Sequence, residues 1–275
     1  MKRRIWQISS LVLLNLPFIG EGKSICLPVL NCHSCPWAVF ACPVGVLGHF
    51  AMWGILPLVA VGTIFLLGAL FGRVLCGWIC PFGFLQDLLY KIPSPKVKVP
   101  GWMVYTKYVL LVGSVLLVPI LFGVNNYAFF CKLCPAGSLE SLLPRALAEG
   151  NLTALGSSWM RIAVMLLILI WAVFSSRSFC KVLCPIGALL AVFNRFSGFS
   201  IKYSQGTCAD CSLCLKKCPM DVQLEDFKRT RGDDVLVAPS ECILCLTCTK
   251  NCHTSGLRFS FWDLNRGKAA KPIKG

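Results

Sequence analysis

The chain has 275 residues, 56% of them apolar and only 14% charged, with eighteen cysteines and a formal net charge of +15. A soluble domain is usually about one-quarter charged, so this composition argues against an ordinary water-soluble globular protein and for one that meets lipid. The positive charge flanks the apolar runs, and a nucleic-acid partner is not needed to explain it.

In chain order, Lys2-Arg3-Arg4 precede an apolar run from Ile5 to Gly20. No small-residue cleavage site follows, and Pro17 and Glu21 suit the end of a span, so the run reads as a retained anchor rather than a signal peptide. Phe50 to Phe71 is 22 residues without a charge; Tyr108 to Phe122 and Ile162 to Ser176 are also apolar. A bilayer core takes about 20 such residues in a helix. The expected fold is therefore a mainly α, polytopic membrane protein: four transmembrane helices arranged as two parallel two-span repeats (about 1–95 and 100–200) within residues 1–200. A ferredoxin-like domain follows over residues 201–275. Basic residues crowd the N-terminal side of these runs, so the expected location is the inner (cytoplasmic) membrane, multi-pass, with both termini cytoplasmic.

The repeat rests on a motif. C-P-x-G-x-L occurs as CPVGVL from Cys42, CPFGFL from Cys80, CPAGSL from Cys134 and CPIGAL from Cys184. The second and fourth copies also match upstream, FGRVLCGWICP against SSRSFCKVLCP, 104 residues apart; the first and third are 92 apart. Proline suits the first position of a helix, which puts each preceding cysteine at the helix cap, facing free backbone N–H groups. That environment favours thiolate, the form that ligates metal.

The tail carries two full quartets. CADCSLCLKKCP holds Cys208, Cys211, Cys214 and Cys218; CILCLTCTKNCH holds Cys242, Cys245, Cys248 and Cys252. The spacing is that of bacterial ferredoxins with two [4Fe–4S] clusters, in which the fourth cysteine of each run ligates the other cluster. Cys208, Cys211, Cys214 and Cys252 then form one site, and Cys242, Cys245, Cys248 and Cys218 the other. Zinc would usually show two C-x2-C pairs rather than two complete quartets.

With CGWICP, CKVLCP and both tail quartets, the chain resembles the NapH/NosR-type membrane ferredoxins over almost its whole length. The resemblance implies a quinol dehydrogenase component, an oxidoreductase subunit that passes electrons between the quinone pool or a cytoplasmic donor and a redox partner at the membrane, with other iron–sulfur or cytochrome subunits as partners. Related proteins serve nitrous-oxide reductase or handle copper for oxidase assembly, so a copper reductase or maturation factor is the alternative. The chain departs from the family in its extra cysteines (Cys26, Cys32, Cys35, Cys42, Cys131 and Cys134), and it shows no flavin-bearing domain of the NosR kind.

Two-fold packing of the repeats would bring Cys76, Cys80, Cys180 and Cys184 together at the inner membrane face. They could share a further Fe–S cluster, form a thiol/disulfide pair of motifs, or simply pack. At the outer face Cys35, Cys42, Cys131 and Cys134 are the favoured ligands of another cluster, with Cys32 able to displace Cys35. Disulfides compete there, because the periplasm is oxidising. Opposite faces would hold the two sites about 30 Å apart, a gap that a bound quinone could close. His33, His49, Asp87 and Glu140 are the ionisable candidates for taking up quinol protons, each also readable as an ordinary interfacial residue.

Overall fold

The computed structural model describes residues 2–15, 25–32, 34–35, 37–148, 158–194, 196–203, 211–222, 235–237, 240–254 and 256–261. Helix α1 (Lys2–Leu14) is followed by α2 (Pro43–Met52) and α3 (Leu58–Phe71), then by two short helices, α4 (Val74–Trp78) and α5 (Pro81–Leu89). The second half repeats this order. Helix α6 (Gly101–Phe122) corresponds to α1, and α7 (Phe130–Leu133) leads into α8, built from Pro135–Gly137, Ser138–Leu142 and Leu143–Ala148. Helices α9 (Trp159–Phe174), α10 (Ser178–Val182) and α11 (Pro185–Asn194) correspond to α3, α4 and α5.

Prolines explain the irregular turns. Helix α6 widens to π geometry over Leu111–Leu117, and α8 does so over Ser138–Leu142. Each widened stretch lies just before a proline, Pro119 and Pro144. The missing N–H and the ring's clash with the carbonyl four residues back are relieved when the helix loosens there.

The four-span expectation is corrected. Among the described residues, one helix, Gly101–Phe122, is long and apolar enough to cross a membrane by length and composition (22 residues, mean hydropathy 1.9). The 22-residue run Phe50–Phe71 is not a single helix. It breaks after Met52 at a turn where Gly54 has φ +66°, and restarts beyond Pro57 as the 14-residue α3. At 1.5 Å per residue α3 is about 21 Å long, short of the ~30 Å hydrocarbon core. Helix α9 has 16 residues and α1 has 13. Hydropathy alone cannot see these breaks, because glycine and proline interrupt the helix without adding charge.

The tail forms a three-stranded antiparallel sheet from β1 (Phe199–Tyr203), β2 (Val235–Val237) and β3 (Leu257–Phe261), in the order β2-β1-β3. Ile201 pairs with Val237 on one side and Phe259 on the other. Two single-turn helices, α12 (Leu213–Lys216) and α13 (Thr247–Lys250), carry tail cysteines. Ile201, Tyr203, Leu244 and Leu257 form a small core of their own, against which Cys214, Cys242, Cys248 and Cys252 pack. The main core is continuous between the two parts. It runs from Leu30, Cys42 and Cys134 through Cys76, Cys80 and Cys184 to Met220, Ile243 and Cys245.

Candidate iron–sulfur sites

The inner quartet comes together around a two-fold arrangement of the repeats. Cys80 caps α5 in extended geometry with Pro81 at the first helical position, and Cys184 precedes Pro185 of α11 in the same way. Cys76, on α4, and Cys180, on α10, complete the set. All four are buried, and Cys184 lies close enough to Cys76, Cys80 and Cys180 to feel the charge of each. The motif supplies donors to the sulfurs. The Gly187 N–H points at Cys184 Sγ (3.3 Å), and the Gly83 and Leu30 N–H groups donate to Cys80. Gln86, fully buried, donates from Nε2 to Cys180 Sγ (3.1 Å) while its Oε1 accepts the Phe179 N–H.

Two buried guanidinium groups flank these thiols. Arg73 and Arg177 are both 0% exposed, and each packs on the other repeat's C-P-x-G glycine. A Cβ on Gly187 would sit 3.3 Å from Arg73 Nη2, and one on Gly83 3.4 Å from Arg177 Nη1. Arg177 pairs with Asp87 (2.7 Å), which also holds Arg3 (2.6 Å), and Arg177 Nη1 donates to the Cys76 carbonyl (2.9 Å). Arg73 pairs with Glu241 (2.7 Å), which also holds Lys107. Each side therefore has two cations and one carboxylate, a surplus of one positive charge. Burial pushes the Asp87 carboxyl up, but the hydrogen bonds and charge of Arg177, with Arg3, outweigh it and hold the group below its ordinary value.

These residues fit an anionic cluster. Burial pushes all four inner thiols up, so bare they stay protonated; Arg73 and Arg177 pull Cys76 the other way. Arg73 Nε and Nη2 are buried with no oxygen or nitrogen partner, and the guanidinium reaches the Cys76 thiol instead. Buried donors at a thiol and a local surplus of positive charge are what a cluster on four thiolates calls for.

The tail quartet Cys218, Cys242, Cys245 and Cys248 borders one cavity, together with Ile201, Met220 and Ile243. Burial pushes Cys242 and Cys248 up to about 12. Leu244 and Leu246 take positive φ (48° and 58°), which winds the loop so that the Leu244 N–H meets Cys242 Sγ at 3.4 Å. Of the other tail set, Cys208 lies outside the described residues, Cys211 is exposed, and Cys214 and Cys252 are half-buried on the small core.

The tail loop sits directly on the inner quartet. The Trp78 indole N–H donates to the Leu244 carbonyl (3.0 Å), and a Cβ on Gly77 would fall 2.3 Å from the Ile243 carbonyl oxygen. On the other repeat, Ser176 Oγ donates to the Pro219 carbonyl (2.8 Å), and the buried Lys181 pairs with Asp221. Both repeats thus hold the same tail site, one by its 242–245 loop and the other by its 218–221 loop.

A second cavity is lined by Cys32, Cys42, Cys131 and Cys134, with Leu30, Phe130 and Gly137. Cys35, the expected member, is buried beside Cys32, to whose carbonyl its N–H donates (3.0 Å), but it does not line the cavity. Cys26 lies apart, bridged to Ala41 in a separate small core. No disulfide joins the described cysteines. Of the proton-acceptor candidates, His33 lies outside the described residues and His49 packs edge-on against Phe129. Asp87 is committed to its arginines. Glu140 is half-buried, accepts the Cys32 N–H (2.7 Å), and its carboxyl is pushed up to about 7 by desolvation.

Sequence reasoning missed Arg73, Arg177, Gln86 and Glu241. A signal existed for two of them: Arg73 and Arg177 recur at the same offset as the cysteines in FGRVLC and SSRSFC. Glu241 has no such trace.

Four thiols spread around a site of this kind suit an iron–sulfur cluster. The 4Fe-4S binding domain model matches the chain twice, over residues 53–100 and 157–204, so each copy contains one half of the inner quartet. An uncharacterized protein of Methanocaldococcus jannaschii is 30% identical over 161 residues, covering 55% of this chain and 60% of the relative. The regulatory protein NosR of Stutzerimonas stutzeri is 31% identical over 153 residues (51% and 19%), and the methylamine utilization ferredoxin-type protein MauN of Methylobacillus flagellatus 28% over 159 (55% and 50%). The chain spans 60% of the M. jannaschii relative's length, half of MauN's and under a fifth of NosR's. No solved structure matches the chain.

Proposed function

We propose that this protein is a membrane-attached electron-transfer subunit, in which the inner quartet and the tail exchange electrons across the Gly77–Trp78 contact. The observation that carries the reading is the seat of the 242–245 loop on the Cys76–Cys80 turn. When bound, [4Fe–4S] clusters at the quartets supply one-electron carriers. The chain's own residues hold the thiols, exclude water through the shared apolar core, and balance charge with Arg73 and Arg177. Large exposed apolar side chains on the long helices, among them Leu58, Val109, Phe122 and Leu167, support attachment to lipid. The donor in this reading is a quinol, as for a NapH-like quinol dehydrogenase component, and the acceptor is a redox partner at the membrane.

The test is single-turnover reduction of full-length, anaerobically purified protein by menaquinol in vesicles, followed by EPR. Cys76→Ser and Cys245→Ser should each remove a different centre. Menaquinol should reduce the Cys245-dependent centre only when Cys76 is intact. Unchanged kinetics in Cys76→Ser, or turnover with Cu(II) and none with menaquinol, would reject the reading.

A further inference from the structure

We infer that the cavity lined by Cys32, Cys42, Cys131 and Cys134 is an additional iron–sulfur site, one that lies outside both copies of the 4Fe-4S binding domain and is built back to back with the inner quartet. The inference extends the electron-transfer reading but stands on different residues.

The site repeats the construction of the inner one. Cys42 and Cys134 each stand in extended geometry ahead of a proline, Pro43 and Pro135. The Val44 and Gly45 N–H groups donate to the Cys42 sulfur, and those of Ala136 and Gly137 to Cys134, as Gly83 and Gly187 do at Cys80 and Cys184. Cys131, on α7, lies close to Cys32, Cys42 and Cys134, with Arg161 as the nearby cation. A Cβ at Gly137 would stand in ordinary contact with Cys32 Sγ (3.6 Å), which places that sulfur against the turn that follows Cys134. Among the described residues no group of three or more His, Cys, Asp or Glu closes around a single ion. Four thiols spread around a cavity instead suit a cluster, with one sulfur bonded at each corner. Each thiol releases its proton as its sulfur bonds iron.

The two sites touch the same few residues. Leu30 lines this cavity, and its N–H donates to the Cys80 sulfur of the inner quartet. The chain can advance at most about 7 Å from Leu30 to Cys32. Three aromatic rings also join the sites. Phe130 lines the outer cavity and lies 6.4 Å from Phe179, the neighbour of Cys180; Phe179 lies 5.1 Å from Phe82, two residues after Cys80. The expected separation by a whole hydrocarbon core is thus replaced by direct packing. It follows that this ligand set contains Cys32 and leaves out Cys35.

The test uses the full chain, purified without oxygen, as wild type and as Cys32→Ser, Cys134→Ser and Cys35→Ser. Cys32→Ser and Cys134→Ser should lose the same EPR centre and one cluster's share of iron and acid-labile sulfide. Cys35→Ser should keep both, and the centres that depend on Cys76 and Cys245 should persist in all three. Alkylation of the wild type needs no variant: Cys32, Cys42, Cys131 and Cys134 should resist labelling until iron is chelated. Labelling without chelation, labelling that requires only disulfide reduction, or loss of the centre in Cys35→Ser but not in Cys32→Ser overturns the inference. Failure of the electron-transfer reading would appear elsewhere, in the Cys76- and Cys245-dependent centres.

Discussion

The two halves of the molecule solve one electrostatic problem with carboxylates from different places. In the first half Asp87, on the half's own α5, sits between Arg3 and Arg177. At the matching site the cations are Lys107 of the second half and Arg73, which crosses over from the first as Arg177 crosses from the second, but the position matching Asp87 is Ala191, and the carboxylate is Glu241 from the tail. An internal ion cluster has become a docking site: Lys107 and Arg73 are not neutralised unless the tail is in place. The loop that brings Glu241 also brings Cys242 and Cys245 onto the inner quartet, so charge balance and seating of the tail site are one event.

The largest effect should come at the Asp87 cluster. Arg177→Met leaves Asp87 with Arg3 as its one cation beside the Gln7 amide, and removes the donor to the Cys76 carbonyl, where Arg177 is wholly buried. Breaking a buried pair from one side costs about 3–5 kcal/mol, so thermal unfolding of the entire protein should shift down strongly. Glu241→Gln should act differently. It removes the charge shared by Arg73 and Lys107, a loss of about 1–3 kcal/mol, and the loss should fall on docking. Limited proteolysis should release a tail fragment while residues 1–200 stay resistant. Equal destabilisation of both parts would mean that the tail is not a separable docked unit.

Gly77→Ala tests the same seat without touching charge. A Cβ 2.3 Å from the Ile243 carbonyl must displace the 242–245 loop, and the exchange of electrons between the Cys76- and Cys245-dependent centres should slow at least tenfold with both centres retained. Acid should act more gently and on both clusters, because at Glu241 burial is outweighed by the charge of Arg73 and Lys107, which holds that carboxyl below its ordinary value too. The Asp87 carboxyl is held below its ordinary value, so its contribution is complete above about pH 4 and is lost only as pH falls through the lower folded value. Asp87→Asn should flatten the decline in stability below about pH 4 and leave its slope between pH 5 and 8 unchanged.

Much of the site was legible because cysteine spacing is local. The tail quartet that borders one cavity is the set expected from C-x2-C-x2-C-x3-C, and the inner quartet follows from a repeat offset visible by eye. The spans were less legible, because a run such as Phe50–Phe71 reads as continuous when Gly54 and Pro57 carry no charge. Which of Cys32 and Cys35 borders the second cavity was beyond sequence for a related reason: it depends on the turn from Cys32 to Cys35, and Cys32 lines the cavity while Cys35 does not. Glu241 was illegible because its partners Arg73 and Lys107 are more than 130 residues away, and no periodicity links a tail loop to a helix of the other half.

The smallest effect is the most informative about the comparison. If Glu241 stands where Ala191 would have carried an aspartate, a carboxylate placed at 191 should take over its electrostatic work but not its mechanical work. Ala191 is 1% exposed on α11, at the position that corresponds to Asp87 on α5. In the double variant Ala191→Asp/Glu241→Gln, the helical part should regain stability over Glu241→Gln alone by about 1 kcal/mol, the typical net value of a hydrogen-bonded charged group less the crowding of the larger side chain. The tail should remain as cleavable as in Glu241→Gln, because a carboxylate carried by α11 leaves the tail loop without its own bonds to Arg73 and Lys107. Thermal unfolding and proteolysis on the same samples separate the two outcomes. A double variant that restores tail protection would show that Arg73 and Lys107 need only a negative charge to organise the seat, and the docking role assigned to Glu241 would fall.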